Sequence, residues 1–305
     1  MPPNPLMKLI LGSCLAKAQA HHPIKVNHFL FEDNHCHLIV TVENPDDVPG
    51  FMERFKTESS HKINKLLGRT KRTNWCAGYD SPPVLTLSSV IDKIVYIYTN
   101  PSRDGLEKID KYPGLSSWGA FNNVKKCEDV YPDIKRPMVP CLKTNPDLDR
   151  SKLARRFVKK IKSKLKFTVH PDAWMDTFQI TEETERKALN EEIKERVRNE
   201  EAEHAALRKE KGSRMIGCER LVNSPMNTEY VSLKKGRRML CISNDLDVRR
   251  ATIEDIKLRR TEGKRILENW RRGDFTESYP LGLFPPSMPK VCEPYSSNGF
   301  ALGRD

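Results

Sequence analysis

The chain has 305 residues, with 53 lysines and arginines against 41 aspartates and glutamates, and a formal net charge of +12. This length allows a sizeable core and two domains, and the basic balance favours a polyanionic partner, nucleic acid first and an anionic membrane surface second. Eight cysteines are scattered singly and no apolar stretch is long enough to span a bilayer, so a zinc knuckle, a disulfide framework and a membrane-spanning protein are all disfavoured.

The first part of the chain predicts a helix, a hairpin and a second helix. Residues 6–20 carry apolar side chains one turn apart and predict an amphipathic helix. Two apolar runs, 24–31 and 34–42, lie on either side of the turn signal at residues 32–34 and predict an antiparallel hairpin. Residues 51–67 then show the spacing of a helix, with basic residues on its other faces.

The next elements are shorter. Residues 75–80 predict a strand that a pair of prolines ends. Residues 88–99 predict a helix, and Pro101 is expected to prevent its continuation. Residues 105–118 read as a loop.

The remainder of the chain is basic and mostly polar. Residues 149–166 predict a basic amphipathic helix or a strand, and residues 181–212 a long helix whose narrow apolar stripe is either exposed or faces a partner. A last helix is predicted over 252–272. We therefore divide the chain into a first domain, 1–136, and a basic, mostly helical C-terminal region, 137–305.

Two pairs of residues carry the chemistry. His35 and His37 alternate along a strand, so their side chains share one face about 7 Å apart and can share a divalent ion, although an isolated pair of this kind is more often a pair of surface histidines. Tyr96 and Asn100 are four residues apart and share one face of a helix. A metal held by two imidazoles and an amide oxygen keeps positions open for a phosphate oxygen, and a phenol beside it can attack phosphorus.

Three stretches of the sequence, in this order, are NHCHLIV (34–40), YIYTNPSRDGL (96–106) and YPGLSS (112–117). They resemble the N-H-x-H-L-h-V strand, where h is a hydrophobic residue, the Y-I-x-x-N-P-x-R-x-G-L helix end and the Y-P-x-x-S-S segment of the REP-associated tyrosine transposases. These proteins form a single-tyrosine branch of the HUH endonucleases. The resemblance covers most of the first 120 residues and is looser beyond them.

The resemblance implies an α+β first domain, an antiparallel sheet with helices on one face in the ferredoxin-like plan of HUH endonucleases. It implies that His35 and His37 are ligands of a divalent metal, Mg²⁺ or Mn²⁺, that Asn100 is the third ligand, and that Tyr96 is the nucleophile, with Tyr98 as the reserve candidate. The implied activity is cleavage and rejoining of single-stranded DNA, often beside a hairpin, through a 5′-phosphotyrosine. The implied setting is the cytoplasmic nucleoid, and the implied active form is a homodimer or a functional monomer.

DNA contacts are predicted where basic side chains gather without acids beside them. One group lies on the second helix and the loop after it, and the other lies in the basic run of the C-terminal region. The residues are Lys56, Arg69, Lys71, Arg72, Arg155, Arg156, Lys159 and Lys160.

Two departures from the family pattern leave alternatives open. Members normally begin with a strand ahead of the first helix, so a core strand is expected to be missing here, and Cys36 stands where a bulky hydrophobe is usual. One alternative is a domesticated or truncated nucleic-acid-binding protein without cleavage activity. Another is an unrelated metal hydrolase that uses His35 and His37, which would need further acidic ligands.

Overall fold

The computed structural model describes seven parts of the chain, which are residues 2–70, 73–76, 78–122, 127–134, 162–225, 239–280 and 283. Contacts divide the chain into two compact units, the first formed by residues 1–81 and 86–238 and the second by residues 82–85 and 239–305. The first unit carries every predicted catalytic and metal-ligating residue. The predicted domain boundary at residue 136 falls outside the described residues and stays a prediction.

The α+β class predicted from the sequence is confirmed. The described residues form helices and two antiparallel sheets of two strands each, rather than one larger sheet. Among them, no helix combines the length and the apolar character that crossing a membrane requires.

The predicted hairpin forms from strand β1 (Lys25–Phe31) and strand β2 (Cys36–Thr41), with Leu30 opposite His37. After its first residue β1 is buried throughout, whereas β2 is half-buried along its whole length. The apolar run after His37 therefore does not make β2 a buried strand, because its side chains stay partly exposed along the whole strand. His37 is among these partly exposed residues.

The edge of β1 opposite β2 is paired at both of its ends. At one end the Ser117 backbone N–H donates to the Phe29 carbonyl at 3.0 Å, and the Phe29 N–H donates to the Ser117 hydroxyl at 2.7 Å. At the other end the His170 N–H donates to the Val26 carbonyl at 2.8 Å. A strand edge with unpaired backbone groups is unfavourable. The segments that contain Ser117 and His170 supply hydrogen-bond partners to backbone groups along this edge of β1.

Helix α1 (Pro5–Gln19) lies in the middle of the first unit. The Asn4 side chain caps it by accepting from the Met7 N–H at 2.9 Å, with proline at the first helical position. Its buried residues are distributed around the whole helix and not along one stripe, and it packs against helix α2 (Asp47–Leu67). The predicted amphipathic face is therefore wrong, since a helix that is apolar all round is a core helix.

A second hairpin, β3 (Glu128–Pro132) with β4 (Lys164–Thr168), packs on the other side of α1. The Tyr131 ring lies so close to Gly12 that a Cβ there would come within 2.1 Å of it. The predicted basic element at 149–166 is a strand over its last three residues, and its residues 149–161 lie outside the described ones.

Helix α3 (Leu87–Arg103) runs through Pro101 and does not end before it. The proline lies in the last turn, where its missing N–H removes a single helical hydrogen bond, and the Asp104 N–H closes the turn beyond it by donating to the Asn100 carbonyl at 2.9 Å. The prediction that Pro101 stops this helix is therefore wrong. The added turn brings Arg103 onto the helix.

Shorter elements complete the first unit. The described residues of the predicted strand at 75–80 are irregular, so that prediction is wrong. A 3₁₀ turn and three short helices follow in the chain. They are the turn Ile109–Lys111 and the helices α4 (Trp118–Phe121), α5 (Ala173–Thr177) and α7 (Cys218–Val222).

The long polar helix α6 (Glu183–Glu210) packs along α3. Ile193 and Val197 of its narrow apolar stripe are completely buried, each with 0% exposure. The stripe therefore faces neither solvent nor another molecule, because the same chain covers it. This contact makes α6 part of the unit that carries the candidate site.

The second unit contains helix α8 (Leu246–Arg271). Its start lies six residues ahead of the predicted one because the Asp245 carboxylate caps it, accepting from the backbone N–H groups of Asp247 and Val248. Near its other end Trp270 packs on Tyr279, with 5.8 Å between ring centroids.

Candidate active site

Four residues that the sequence singled out meet in the first unit. His35 precedes β2 and His37 lies on it, whereas Tyr96 and Asn100 lie on α3. The two imidazole centroids are 4.8 Å apart, and the His37 ring lies 5.4 Å from the Tyr96 ring. The Asn100 side-chain nitrogen lies 2.9 Å from Nε2 of His35. One chain therefore supplies all four groups.

The turn between the two strands orients His35. The Glu32 N–H donates to the His35 carbonyl at 2.9 Å, which closes the turn. Nδ1 of His35 lies 2.5 Å from the side-chain oxygen of Asn34, an acceptor, so the ring proton is on Nδ1. Nε2 of His35 then carries a lone pair and faces Asn100. This tautomer of the ring is the one that a metal ligand requires.

Both imidazoles are held neutral. Burial is the main cause that lowers the pKa of His35, and burial followed by nearby positive groups lowers the pKa of His37 to about 4. Metal binding needs the neutral ring, so neither histidine would have to lose a proton near pH 7 before acting as a ligand.

The residues present fit a divalent cation. Nε2 of His37 is buried without a hydrogen-bond partner, and such an orphaned acceptor is unfavourable unless something binds it. In the described part of the chain, no group of three or more His, Cys, Asp or Glu side chains could hold a metal ion. A third ligand beside His35 and His37 would then be another kind of side chain, and the amide of Asn100 lies against Nε2 of His35.

Arg103 is the site residue that the sequence reasoning missed. Its guanidinium carbon lies 4.4 Å from the centroid of the Tyr96 ring, and Nη2 donates to the Tyr96 hydroxyl at 3.2 Å and also to the side-chain oxygen of Asn100. Residues 96, 100 and 103 follow the i, i+4, i+7 spacing of one helical face. This spacing can be read from the sequence, but it places Arg103 beside Tyr96 and Asn100 only if the helix continues past Pro101.

Two further ionisable groups border the site. The Lys93 ammonium lies 5.2 Å from the centroid of the Tyr96 ring, so a second cation accompanies Arg103 at the half-buried phenol. Glu32 is only 3% exposed, and one of its carboxylate oxygens lies 3.7 Å from Nε2 of His35. Burial, followed by the charge of Asp104, raises the pKa of Glu32 to about 8.

Tyr98 cannot be the nucleophile, so the reserve assignment is wrong. Its side chain is completely buried, and its hydroxyl is 2.8 Å from Nδ1 of His28 and 2.9 Å from the Ser117 hydroxyl. Burial raises the pKa of Tyr98 well above its usual range. The two tyrosines point in different directions from α3, and only Tyr96 is accessible to a substrate.

The predicted DNA contacts are described at two positions. Lys56 donates to the carbonyls of Cys76 and Gly78, each at 2.9 Å, so it holds the irregular segment after α2. Arg69 is half-buried just beyond the end of α2. Both residues stay predicted DNA contacts. The other predicted contacts lie outside the described residues. They are Lys71, Arg72, Arg155, Arg156, Lys159 and Lys160.

Comparison with known proteins identifies the first part of the chain. The family model described as "Transposase IS200 like" matches residues 4–100, which run from the cap of α1 to Asn100 and include both histidines and Tyr96. No curated protein and no solved structure matches the chain. Residues 4–100 are therefore similar to the IS200-like transposases, the family of the REP-associated tyrosine transposases, and the match covers about a third of the chain.

Proposed function

We propose that this protein cleaves and rejoins single-stranded DNA through a covalent bond between Tyr96 and a 5′ phosphate. In this proposal His35, His37 and Asn100 hold a divalent cation, Mg²⁺ or Mn²⁺, beside the phenol. The observation that carries the proposal is the meeting of these four side chains at one place in one chain, with the His37 and Tyr96 rings 5.4 Å apart.

The charges around Tyr96 support a phosphate as the group that is attacked. Lys93 and Arg103 lie on α3, three residues before Tyr96 and seven residues after it, and both approach the Tyr96 ring. A phosphodiester is negatively charged throughout the reaction, so paired cations favour its binding and its transition state. Arginine in particular matches the geometry of two phosphate oxygens.

The reaction exchanges one phosphoester bond for another. The Tyr96 oxygen attacks phosphorus and forms the phosphotyrosine bond while the bond from phosphorus to the 3′ oxygen breaks. The phenol proton leaves to solvent, the 3′ oxygen takes up a proton, and no oxidant or reductant is involved. Rejoining is the reverse, in which a 3′ hydroxyl attacks the phosphotyrosine and Tyr96 leaves.

The chain's own residues have separate parts in this chemistry. Arg103 donates to the Tyr96 hydroxyl oxygen at 3.2 Å and so stabilises negative charge as the proton departs. His35 and His37 present neutral nitrogens for the cation, because burial keeps them unprotonated. When bound, the cation polarises the phosphate and stabilises charge on the leaving 3′ oxygen.

A covalent-adduct assay tests this proposal. The protein is incubated with a single strand that flanks a hairpin, with Mn²⁺ or Mg²⁺, and the products are separated under denaturing conditions. The expected result is a protein–DNA band from the wild type and none from Tyr96→Phe, which should still bind the DNA. Tyr79→Phe serves as the matched control, because Tyr79 is an exposed tyrosine of the first unit and its substitution should leave the band unchanged.

Two outcomes would contradict the proposal. An adduct that persists in Tyr96→Phe would show that another residue is the nucleophile. A wild-type protein that binds DNA but forms no adduct with either metal would favour the alternative of a nucleic-acid-binding protein without cleavage activity.

A further inference from the structure

The side chain of Asn100 is engaged at both ends. Its nitrogen lies 2.9 Å from Nε2 of His35, and its oxygen accepts from the guanidinium of Arg103. The residue is completely buried, with 0% exposure, so solvent is not an alternative partner. The one atom of Asn100 that can bind a hard cation is therefore occupied by Arg103.

The neighbours of Asn100 fix this orientation of the amide. Rotating it by half a turn would place its NH₂ group against the Arg103 guanidinium, and both are donors only. The same rotation would set the amide oxygen against Nε2 of His35, an acceptor whose proton is on the other ring nitrogen. The side-chain oxygen can turn towards the histidines only after Arg103 has left it.

We propose that Arg103 keeps the Asn100 oxygen occupied in the DNA-free protein and releases it when a DNA phosphate binds the guanidinium, so that DNA and the divalent cation bind cooperatively. This inference rests on the proposed function, because it takes the cation and the phosphate from it. It assigns Arg103 as a positioning residue that controls when the third ligand becomes available.

Arg103 is placed to make this exchange. Its side chain is 38% exposed, and it lies over the ring of Tyr96, where the attacked phosphate has to arrive. Its other contacts are with Tyr96 and with the Asp104 carboxylate, 3.3 Å from Nε. A phosphate offers a full charge and two oxygens in the geometry of the guanidinium fork, so it competes well with a neutral amide oxygen.

Thermodynamic linkage makes the exchange measurable without any cleavage. If DNA frees the Asn100 oxygen, DNA raises the affinity for the cation, and the cation must raise the affinity for DNA by the same factor. Coupling of this kind is commonly between 5-fold and 150-fold. We expect about tenfold here, which is about 1.4 kcal/mol.

The test measures Mn²⁺ binding by calorimetry or by electron paramagnetic resonance, with and without saturating single-stranded DNA. All proteins carry Tyr96→Phe, which prevents cleavage and keeps the ring under Arg103. In this background DNA should raise Mn²⁺ affinity about tenfold. With Arg103→Ala added, Mn²⁺ affinity without DNA should already be about tenfold higher, and DNA should change it less than twofold.

Lys93→Ala is the matched control. Lys93 is a cation beside the same ring, 5.2 Å from its centroid, whereas the Asn100 oxygen accepts from Arg103. Its loss should weaken DNA binding and leave the coupling factor near ten. Two results would overturn the inference. One is that DNA raises Mn²⁺ affinity by the same factor with and without Arg103→Ala. The other is that only Lys93→Ala abolishes this increase.

These outcomes are separable from failure of the proposed function. If no protein binds Mn²⁺ at micromolar to millimolar concentrations, with or without DNA, the metal site itself is wrong and the inference falls with it. If Mn²⁺ binds and is lost in His35→Ala, but Arg103→Ala does not alter the coupling, the site stands and only the role of Arg103 is refuted.

Discussion

Nδ1 of His28 lies 2.8 Å from the hydroxyl of Tyr98, and both side chains are completely buried. The Tyr98 hydroxyl also lies 2.9 Å from that of Ser117, so one phenol joins α3 to β1 and to the segment that covers the edge of β1. The contact explains why a tyrosine two residues from the candidate nucleophile belongs to the core.

Tyr98→Phe should therefore lower stability and leave the chemistry in place. Removing the hydroxyl leaves buried partners unsatisfied, which costs about 1–3 kcal/mol. Urea unfolding should show this loss, while the adduct assay at a temperature where the variant is folded should give the wild-type band. A variant that unfolds normally but forms no adduct would show that Tyr98 takes part in cleavage after all.

The same pair predicts a pH dependence of stability. Burial lowers the pKa of His28 from 6.5 to about 3 in the folded protein. The unfolded chain therefore binds a proton between these values that the folded chain does not, and stability falls as pH decreases from about 6.5 to 3, by up to about 1.4 kcal/mol per pH unit. Above pH 6.5 this contribution is constant.

His28→Gln isolates this effect because glutamine does not titrate. The variant is expected to be less stable at pH 7, but its stability between pH 6 and pH 4 should fall less steeply than that of the wild type. The measurement is the free energy of unfolding in urea at several pH values. If the free energy of unfolding fell equally steeply with decreasing pH in both proteins, His28 would not be held neutral by burial.

The sequence predicted the hairpin and the partners on α3 because both depend on local spacing. His35 and His37 follow the period of a strand, and Tyr96 and Asn100 follow that of a helix. Contact between the two pairs depends on how α3 packs against the hairpin, which spacing alone does not contain. The family resemblance supplied that missing relationship, and the structure shows the distances.

Two predictions failed, one for a local reason and one for a tertiary reason. Pro101 is a helix breaker by its local chemistry, yet the last turn of α3 tolerates it because only one hydrogen bond is lost. α1 has enough polar positions to predict one solvent face, but α2 and the β3–β4 hairpin surround it. For α1, burial outweighs the local preference.

The packing of α6 on α3 predicts that residues far beyond the family match stabilise the site. Ile193→Ala should cost about 2–5 kcal/mol, because it opens a cavity at a completely buried position. Leu207→Ala on the same helix is the matched control, since Leu207 is 51% exposed and its loss should cost less than about 0.5 kcal/mol. Thermal unfolding distinguishes the two, and equal effects would mean that α6 does not pack on α3.

The meeting of both residue pairs within one chain leads to a prediction about mixed variants. His35→Ala removes a metal ligand and Tyr96→Phe removes the nucleophile, and each variant alone should form no adduct. If every site takes both groups from the same chain, mixing the two variants should also give none, because each chain stays defective at its own site. Gel separation of the adduct after co-incubation, or after unfolding and refolding the two together, measures this directly. An adduct from the refolded mixture would show that α3 of one chain serves the histidines of another, and the contact between Asn100 and His35 would then form between partners in the active assembly.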